Sequence, residues 1–348
     1  FPTRRSSDLI WFGLFPSYKV CLFLYIGMGL TTTVTFWAAM LKATRQFGQN
    51  INSESKAFGF LETGRGIFGI VVELFVAFLF NQFVSVVAGL RFVIWTYGFI
   101  LILFGIISLF VFDDSKGSSA ISEEKPLQLI WECIKSPDIW LITIMAMGGY
   151  NIGSCIGSYV GNMATSIYGV SIGTAAYLGA LITWLKPVGA FAAAYAGERM
   201  GPSKVVMITN IILTIISAIL IIVTANPNWL YLFLGIVAVE IITTGAFRSH
   251  KYASVREARI PLKLTGTAFG FIATVIYSAD AFMPPIIGRW LDNYDAVTAY
   301  RNLYYVLVVS GIITLVAGLI FRARNKQNIE EVWEEERQTR LKSKAAEI

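Results

Sequence analysis

The chain has 348 residues, of which 55% are hydrophobic and only 14% charged, and its mean hydropathy is +0.63. A soluble domain carries nearer a quarter charged residues, so the composition excludes one and points to an all-α polytopic membrane protein. The net charge of +6 then concerns topology and anionic lipid, and does not indicate a nucleic-acid partner.

The chain opens on Phe1-Pro2-Thr3-Arg4-Arg5-Ser6-Ser7-Asp8-Leu9, which has no signal-peptide pattern. It matches one reading frame of a common sequencing adapter, and we expect residues 1–9 to be foreign to the natural protein. A short apolar remnant at 9–14 follows, then apolar segments at 20–41, 58–80, 92–112, 139–160, 175–196, 205–225, 230–247, 266–288 and 303–321. Most are about 20 residues long, enough for a helix to cross ~30 Å of hydrocarbon. Open strands cannot satisfy their backbone in lipid, so all are expected to be helices.

The longest polar interruption is 113–138. Its first part, Asp113 to Ser119, is a linker, and Pro126 starts an amphipathic piece, Leu127–Ile134, expected to lie on the membrane surface. The tail, 323–348, mixes Glu with Lys and Arg and is expected as a solvated helical extension. Cys21, Cys133 and Cys155 form no disulfide framework, and a single His250 among scattered acids offers no metal cluster. No nucleotide-binding glycine motif is present, so neither cofactor nor metal is expected.

Alternate loops collect twenty basic residues on one side, among them Lys42, Arg45, Lys56, Arg199, Arg248, Lys251, Arg256 and Arg259. Four lie on the other side: Lys19, Arg91, Arg289 and Arg301. The rule that basic loops stay inside puts the middle loop and the C-terminus in the cytoplasm.

One motif occurs twice. Ala57-Phe58-Gly59-Phe60 reappears as Ala268-Phe269-Gly270-Phe271, an offset of 211 residues. The offset holds upstream without a gap, setting Thr32, Thr33, Phe36 and Arg45 on Thr243, Thr244, Phe247 and Arg256. Two homologous halves in the same order suggest an axis along the membrane normal. If the second half begins near Asp138, two whole spans and most of a third are absent from the first. The apolar segments are then spans 4 to 12.

Charges inside spans are costly, ~2.5–3.5 kcal/mol each at the bilayer centre, and need a partner or water. In span 5, Gly59, Glu62, Gly66, Gly69 and Glu73 share one face, and Arg65 lies three residues from Glu62. That pair either locks an inner gate or meets substrate. Span 8 carries Lys186 beside Pro187, which frees the Thr183 carbonyl. Lys186 either binds an anion or pairs with an acid of another helix. In span 10, Glu240 precedes the Thr243–Thr244–Phe247 stripe, and its repeat counterpart is Gly29. An acid peculiar to one half suits proton coupling; Glu73 and Asp280, the latter four residues before Pro284, are the next candidates for that role, with packing or gating the first reading of Asp280. Span 7 has a ridge of Gly149, Gly153, Gly157 and Gly161, flanked by Tyr150, Asn151, Ser154 and Ser158.

The halves, the inside middle loop and the loop Gly197-Glu198-Arg199-Met200-Gly201-Pro202-Ser203-Lys204 resemble the major facilitator superfamily across residues 10–322. That loop is similar to the family's short acid–Arg–Gly–basic motif, with Glu198 for the usual Asp, Ala194 for the leading Gly and Pro202 where a basic residue is common. The resemblance implies two six-helix bundles, here residues 10–112 (lacking helices 1, 2 and most of 3) and 139–322. It implies gating by Glu198 and Arg199, a cavity lined by helices 4, 7 and 10, and substrate contacts from Trp37, Tyr150, Asn151 and Ser154 with Lys186. Phe36-Trp37 and Phe60 to Gly66 are similar to bacterial carriers of sugar acids and related organic anions.

The expected activity is secondary transport of a small organic anion by proton symport through alternating access, by a monomer in the lipid bilayer. Efflux of a hydrophobic compound is the alternative. A non-transporting sensor lacks a signalling domain in so short a tail, and an integral-membrane enzyme lacks clustered catalytic groups.

Overall fold

The computed structural model describes residues 8–30, 32, 36–51, 53–80, 82–83, 85–111, 126–171, 174–175, 178–179 and 184–346. Seven of the nine adapter-like residues, the polar middle linker, Thr33 and Thr183 lie outside the described residues, as does the Glu73 side chain.

Every described element is a helix, as apolar segments in lipid require. After a short helical piece at 8–12 come α1 (Tyr18–Leu30), α2 (Trp37–Asn50), α3 (Glu54–Phe80) and α4 (Val86–Val111). The amphipathic α5 (Pro126–Lys135) leads into α6 (Pro137–Ser166). Then follow α7 (Lys186–Met200), α8 (Pro202–Val223), α9 (Leu230–His250), the single turn α10 (Ser254–Glu257), α11 (Leu262–Tyr277), α12 (Ala279–Asn293), α13 (Ala296–Arg324) and α14 (Lys326–Ala346).

Among the described residues, six stretches are long and apolar enough to cross a membrane: Val87–Ile107, Pro137–Ser166, Pro202–Val223, Leu230–His250, Leu262–Asn293 and Ala296–Arg324. The protein is a multi-pass membrane protein. Nine spans were expected from composition. α3 has the length for one, but Glu62, Arg65 and Glu73 interrupt its apolar run. α7 is described only from Lys186, and Pro187 stands in its first turn, where a missing N–H is harmless, not in mid-helix.

One further boundary differs from expectation. The segment 266–288 divides into α11 and α12 at Ser278, whereas the join between α1 and α2 falls largely outside the described residues. Pro284 and Pro285 sit inside α12 and remove backbone donors, while the Ser278 hydroxyl donates to the Val275 carbonyl at 2.7 Å, a bond that favours a bend.

The densest core joins α6, α8, α9, α11 and α13, with Ile139, Leu213, Phe233, Phe247, Phe269 and Leu307 buried. Small residues let these helices close up: a Cβ at Gly318 would overlap Met207, and one at Gly311 would overlap Thr214. Polar groups tie the ends. Ser136 caps α6, and Arg324 and Asn325 both donate to Asp138 at 3.0 and 2.8 Å.

The tail departs from a solvated extension. α14 docks through Val332, which is 5% exposed, and through Trp333, whose indole packs on Gly201 at the turn between α7 and α8. Gly201 has φ 88°, a left-handed value that favours glycine, and any Cβ there would meet the indole. α5 buries Leu129 and Cys133 and leaves Leu127, Ile130, Trp131 and Ile134 exposed. The Trp140 indole of α6 donates to the Ile134 carbonyl at 2.9 Å and fixes the corner between the two helices.

Candidate functional site

Helix α3 of the first half lies against α7 and α9 of the second, because each brings a small residue to the contact. A Cβ on Gly66 would come within 2.6 Å of Pro187 Cγ, and one on Gly245 would overlap the Lys186 carbonyl. Between these helices lies a cavity of ≈ 190 Å³, lined by Glu62, Arg65, Lys186, Pro187, Gly245 and Arg248 among others. Three cations and one carboxylate therefore face a single small space.

Each charge has a distinct setting. Arg65 Nη1 donates to Glu62 Oε1 at 2.5 Å, and its guanidinium lies over the Trp37 ring at 4.4 Å. Trp37 in turn packs on Tyr277, with 5.5 Å between ring centroids. Arg248, in the last turn of α9, lies 5.7 Å from the Tyr150 ring. Lys251 is only 2% exposed; its ammonium sits over Tyr150, Tyr252 and Tyr277 at 4.9, 5.0 and 5.0 Å and reaches the Tyr277 hydroxyl at 3.4 Å. An aromatic cage of this kind stabilises a cation by quadrupole attraction.

A second polar group borders this one. Tyr150 and Ser154 of α6 both donate to Asp280 of α12, at 2.5 and 2.8 Å. Glu240 is fully buried, accepts from the Thr244 hydroxyl at 2.7 Å through Oε1, and has no hydrogen-bond partner for Oε2 among the described residues. The span-7 glycine ridge is a packing surface: Gly149 abuts Phe247 and Asn210, and Gly153 abuts Thr244.

Toward the α3 N-terminus, roughly 10 Å along the helix from Arg65 at 1.5 Å per residue, the halves meet in a cross-linked layer. Phe58 and Phe269, repeat partners by the offset of 211, touch edge to face at 6.2 Å. Beside them Glu54, 2% exposed, accepts from Arg45 at 3.5 Å and pairs with Arg256 at 3.7 Å. Those arginines are repeat partners too. Arg45 also donates across the halves to the Ile260 carbonyl at 3.2 Å and to the Thr265 hydroxyl, and Thr265 is the repeat partner of Glu54. A further ion pair, Lys56–Glu198 at 2.7 Å, joins α3 to the end of α7.

The structure thus brings Lys186, Glu62 and Arg65 to one cavity, with Trp37 behind Arg65, and groups Tyr150 and Ser154 with Asp280. It separates other expected members. Glu198, expected at a gate with Arg199, pairs with Lys56, and Arg199 is exposed. Asn151 is buried and accepts from Cys155 Sγ of its own helix at 3.4 Å.

Three residues were missed. Arg248 and Lys251 were counted as loop bases, yet α9 runs on to His250 and carries them into the protein, and Glu54 was not singled out. The offset held the signal, since it places Trp37 on Arg248 and Met40 on Lys251.

Comparison with known proteins bears on the family and the fold. The Major Facilitator Superfamily model matches residues 139–347. The inner membrane protein YqcE of Escherichia coli (strain K12) is 27% identical over 319 residues, which span 88% of this chain and 74% of YqcE. The inner membrane protein YihN of the same organism is 25% identical over 329 residues, 91% of this chain and 77% of YihN. The crystal structure of a bacterial homologue of the iron transporter ferroportin in the outward-facing state matches with a TM-score of 0.53 at 12% identity, covering 92% of this chain and 97% of that one. At that identity the likeness shows the fold alone.

Proposed function

The chain belongs to the major facilitator superfamily and is a membrane transport protein, and from that premise we propose that it carries a small organic anion, a sugar acid or a related compound, by proton symport. The observation that carries this reading is the convergence of Arg65, Lys186 and Arg248 on one cavity whose lining, among the described residues, holds one carboxylate, Glu62. A hydrophobic compound entering there would strip water from three cations and return nothing to them. An oxyanion returns charge-assisted hydrogen bonds, and guanidinium groups offer them in pairs.

The two halves supply opposite walls, Arg65 from the first and Lys186 with Arg248 from the second. Substrate bound between them draws the halves together, which is what alternating access needs. The layer built on Phe58, Phe269, Glu54 and the two arginines is the gate toward the basic loops, and by the charge rule that side is the cytoplasm. Tyr150, Ser154 and Asp280 offer hydrogen-bonding groups suited to substrate hydroxyls. No metal or cofactor is required.

Proton coupling falls to Glu240. A fully buried carboxylate with one oxygen lacking a hydrogen bond is stabilised by taking a proton. In its charged form it attracts Lys186, and protonation releases that lysine to the substrate. Proton first, anion second is then the favoured order of binding.

The test is uptake by the full chain in proteoliposomes, with radiolabelled sugar acids and an imposed inward proton gradient. Uphill uptake of at least one sugar acid is expected. Glu240→Gln should abolish accumulation and leave substrate exchange intact. Proton-driven accumulation by Glu240→Gln at the parent level would falsify the coupling assignment; selective uptake of uncharged or cationic compounds alone would overturn the anion reading.

A further inference from the structure

The tail helix α14 touches the gate. Glu336 accepts from Arg256 Nη1 at 2.5 Å, while Nε of the same guanidinium faces Glu54 of the other half at 3.7 Å. The result is an unbroken alternation of charges, Arg45–Glu54–Arg256–Glu336, from the first half through the second to the tail.

A second observation is independent of that chain. Arg259 has φ 50°, a left-handed value that a non-glycine residue adopts at a cost. Its guanidinium is held by two acids of α14, Glu331 at 2.8 Å and Glu335 at 2.9 Å. Thus α14 grips both ends of the 256–259 turn, which joins α9, bearing Glu240 and Arg248, to α11, bearing Phe269. A third anchor is Trp333 on Gly201, where the α7–α8 turn meets the same layer.

We infer that α14 is a latch on the closed basic-side gate, and that Glu336 is a positioning residue which aims Arg256 at Glu54. The two acids use different nitrogens of one guanidinium, so Glu336 holds the planar group in the orientation that Glu54 needs. When Glu336 lets go, Arg256 gains rotamers and the contact with Glu54 weakens. The tail, usually read as a charged appendage, sets how much time the transporter spends with this gate shut. The inference rests on alternating access between the halves and is independent of which substrate is carried.

The experiment measures access without substrate. Ala190→Cys, in the cavity wall, is introduced into a full chain with Cys21, Cys133 and Cys155 replaced by serine, and is labelled with an impermeant thiol reagent in vesicles that expose only the basic side. With α14 intact, labelling is expected to be slow. Glu336→Gln should speed it about fivefold, the range expected when one partly exposed ion pair is lost, and deletion of 326–348 should speed it more. Glu336→Asp should restore the slow rate, and labelling from the opposite face should fall as labelling from the basic face rises. A merely structural role for α14 would lower folded yield and leave both rates of the folded fraction alone. Unchanged or slower labelling in Glu336→Gln, with normal folding, overturns the latch. Since no substrate is added, that failure is distinct from failure of the anion reading.

Discussion

The stretch 37–60 of the first half and the stretch 248–271 of the second are copies of one design with different charges. Phe58 and Phe269 keep the same contact across the axis, and Arg45 and Arg256 both reach Glu54. Around this conserved frame the ionisable groups are unequal. The first half has Trp37, Met40 and Gly29 where the second has Arg248, Lys251 and Glu240, and the second has Thr265 where the first has Glu54. The symmetric residues build a seam along which two bodies can rock. The asymmetric ones supply chemistry, which a symmetric pair would duplicate as like charges facing each other.

Removing the largest asymmetry should have the largest effect. Arg248→Met puts an uncharged side chain opposite Arg65, leaving Lys186 as the cation the second half contributes to the cavity lining. Truncating one partner of a buried charged contact costs about 2–5 kcal/mol, so substrate affinity should fall about 30-fold or more. Lys186→Ala should act in the same direction. Equilibrium binding to detergent-purified protein measures both, and unaltered affinity in Arg248→Met removes that residue from the binding reading.

Next in size is an exchange across the axis. Glu54→Thr gives both halves the same residue and leaves buried Arg45 and half-buried Arg256 without their shared acid. Breaking a buried pair in this way is strongly destabilising, and the Ala190→Cys probe should label from the basic side about tenfold faster. Adding Thr265→Glu moves the carboxylate to the repeat-related position, where Arg45 already reaches the Thr265 hydroxyl. The double exchange should regain most of the slow labelling. A double variant as open as Glu54→Thr alone would show that the arginines are not interchangeable about the axis.

How much of this was legible beforehand follows the same division. Membrane-spanning helices follow from composition, and the equivalence of Phe58 and Phe269 follows from a gapless repeat, because both depend on apolar pattern over long stretches; that the two rings touch is visible only in the structure. Lys186, Glu62 and Arg65 stood out as charges within apolar runs. Arg248 and Lys251 did not, since they sit where the apolar run ends and only the length of α9 makes them interior. Glu54 escaped for the same reason: a charge at a helix start is ordinary until its partners in the other half are known. The docked tail was illegible because its acids bind Arg256 and Arg259, which local sequence presents as loop bases.

The smallest effect on transport is expected at the turn that seats the tail. Glu257 is 1% exposed and its Oε2 accepts the Ser203 N–H at 3.0 Å, while Arg322 donates to the Ser203 hydroxyl at 2.7 Å. Burial pushes the Glu257 carboxyl up to about 7 from an ordinary 4.5, against the opposing pull of the Ser203 bonds and of Arg322. A raised acid keeps its proton in the folded protein through a range where the unfolded chain has lost it. Between pH 4.5 and about 7 the unfolded state therefore binds fewer protons, and stability falls as pH rises through that window, levelling off above it. Opening of this turn can be followed by hydrogen exchange of the 201–204 amides, corrected for the intrinsic rise of exchange with pH. Protection should drop between pH 4.5 and 7 in the parent chain, and Glu257→Gln, which keeps a neutral acceptor for the Ser203 N–H, should flatten the profile with little change in uptake. A parent profile that is already flat, or that rises with pH, would show that Glu257 stays charged there, held by Arg322 more firmly than burial opposes it.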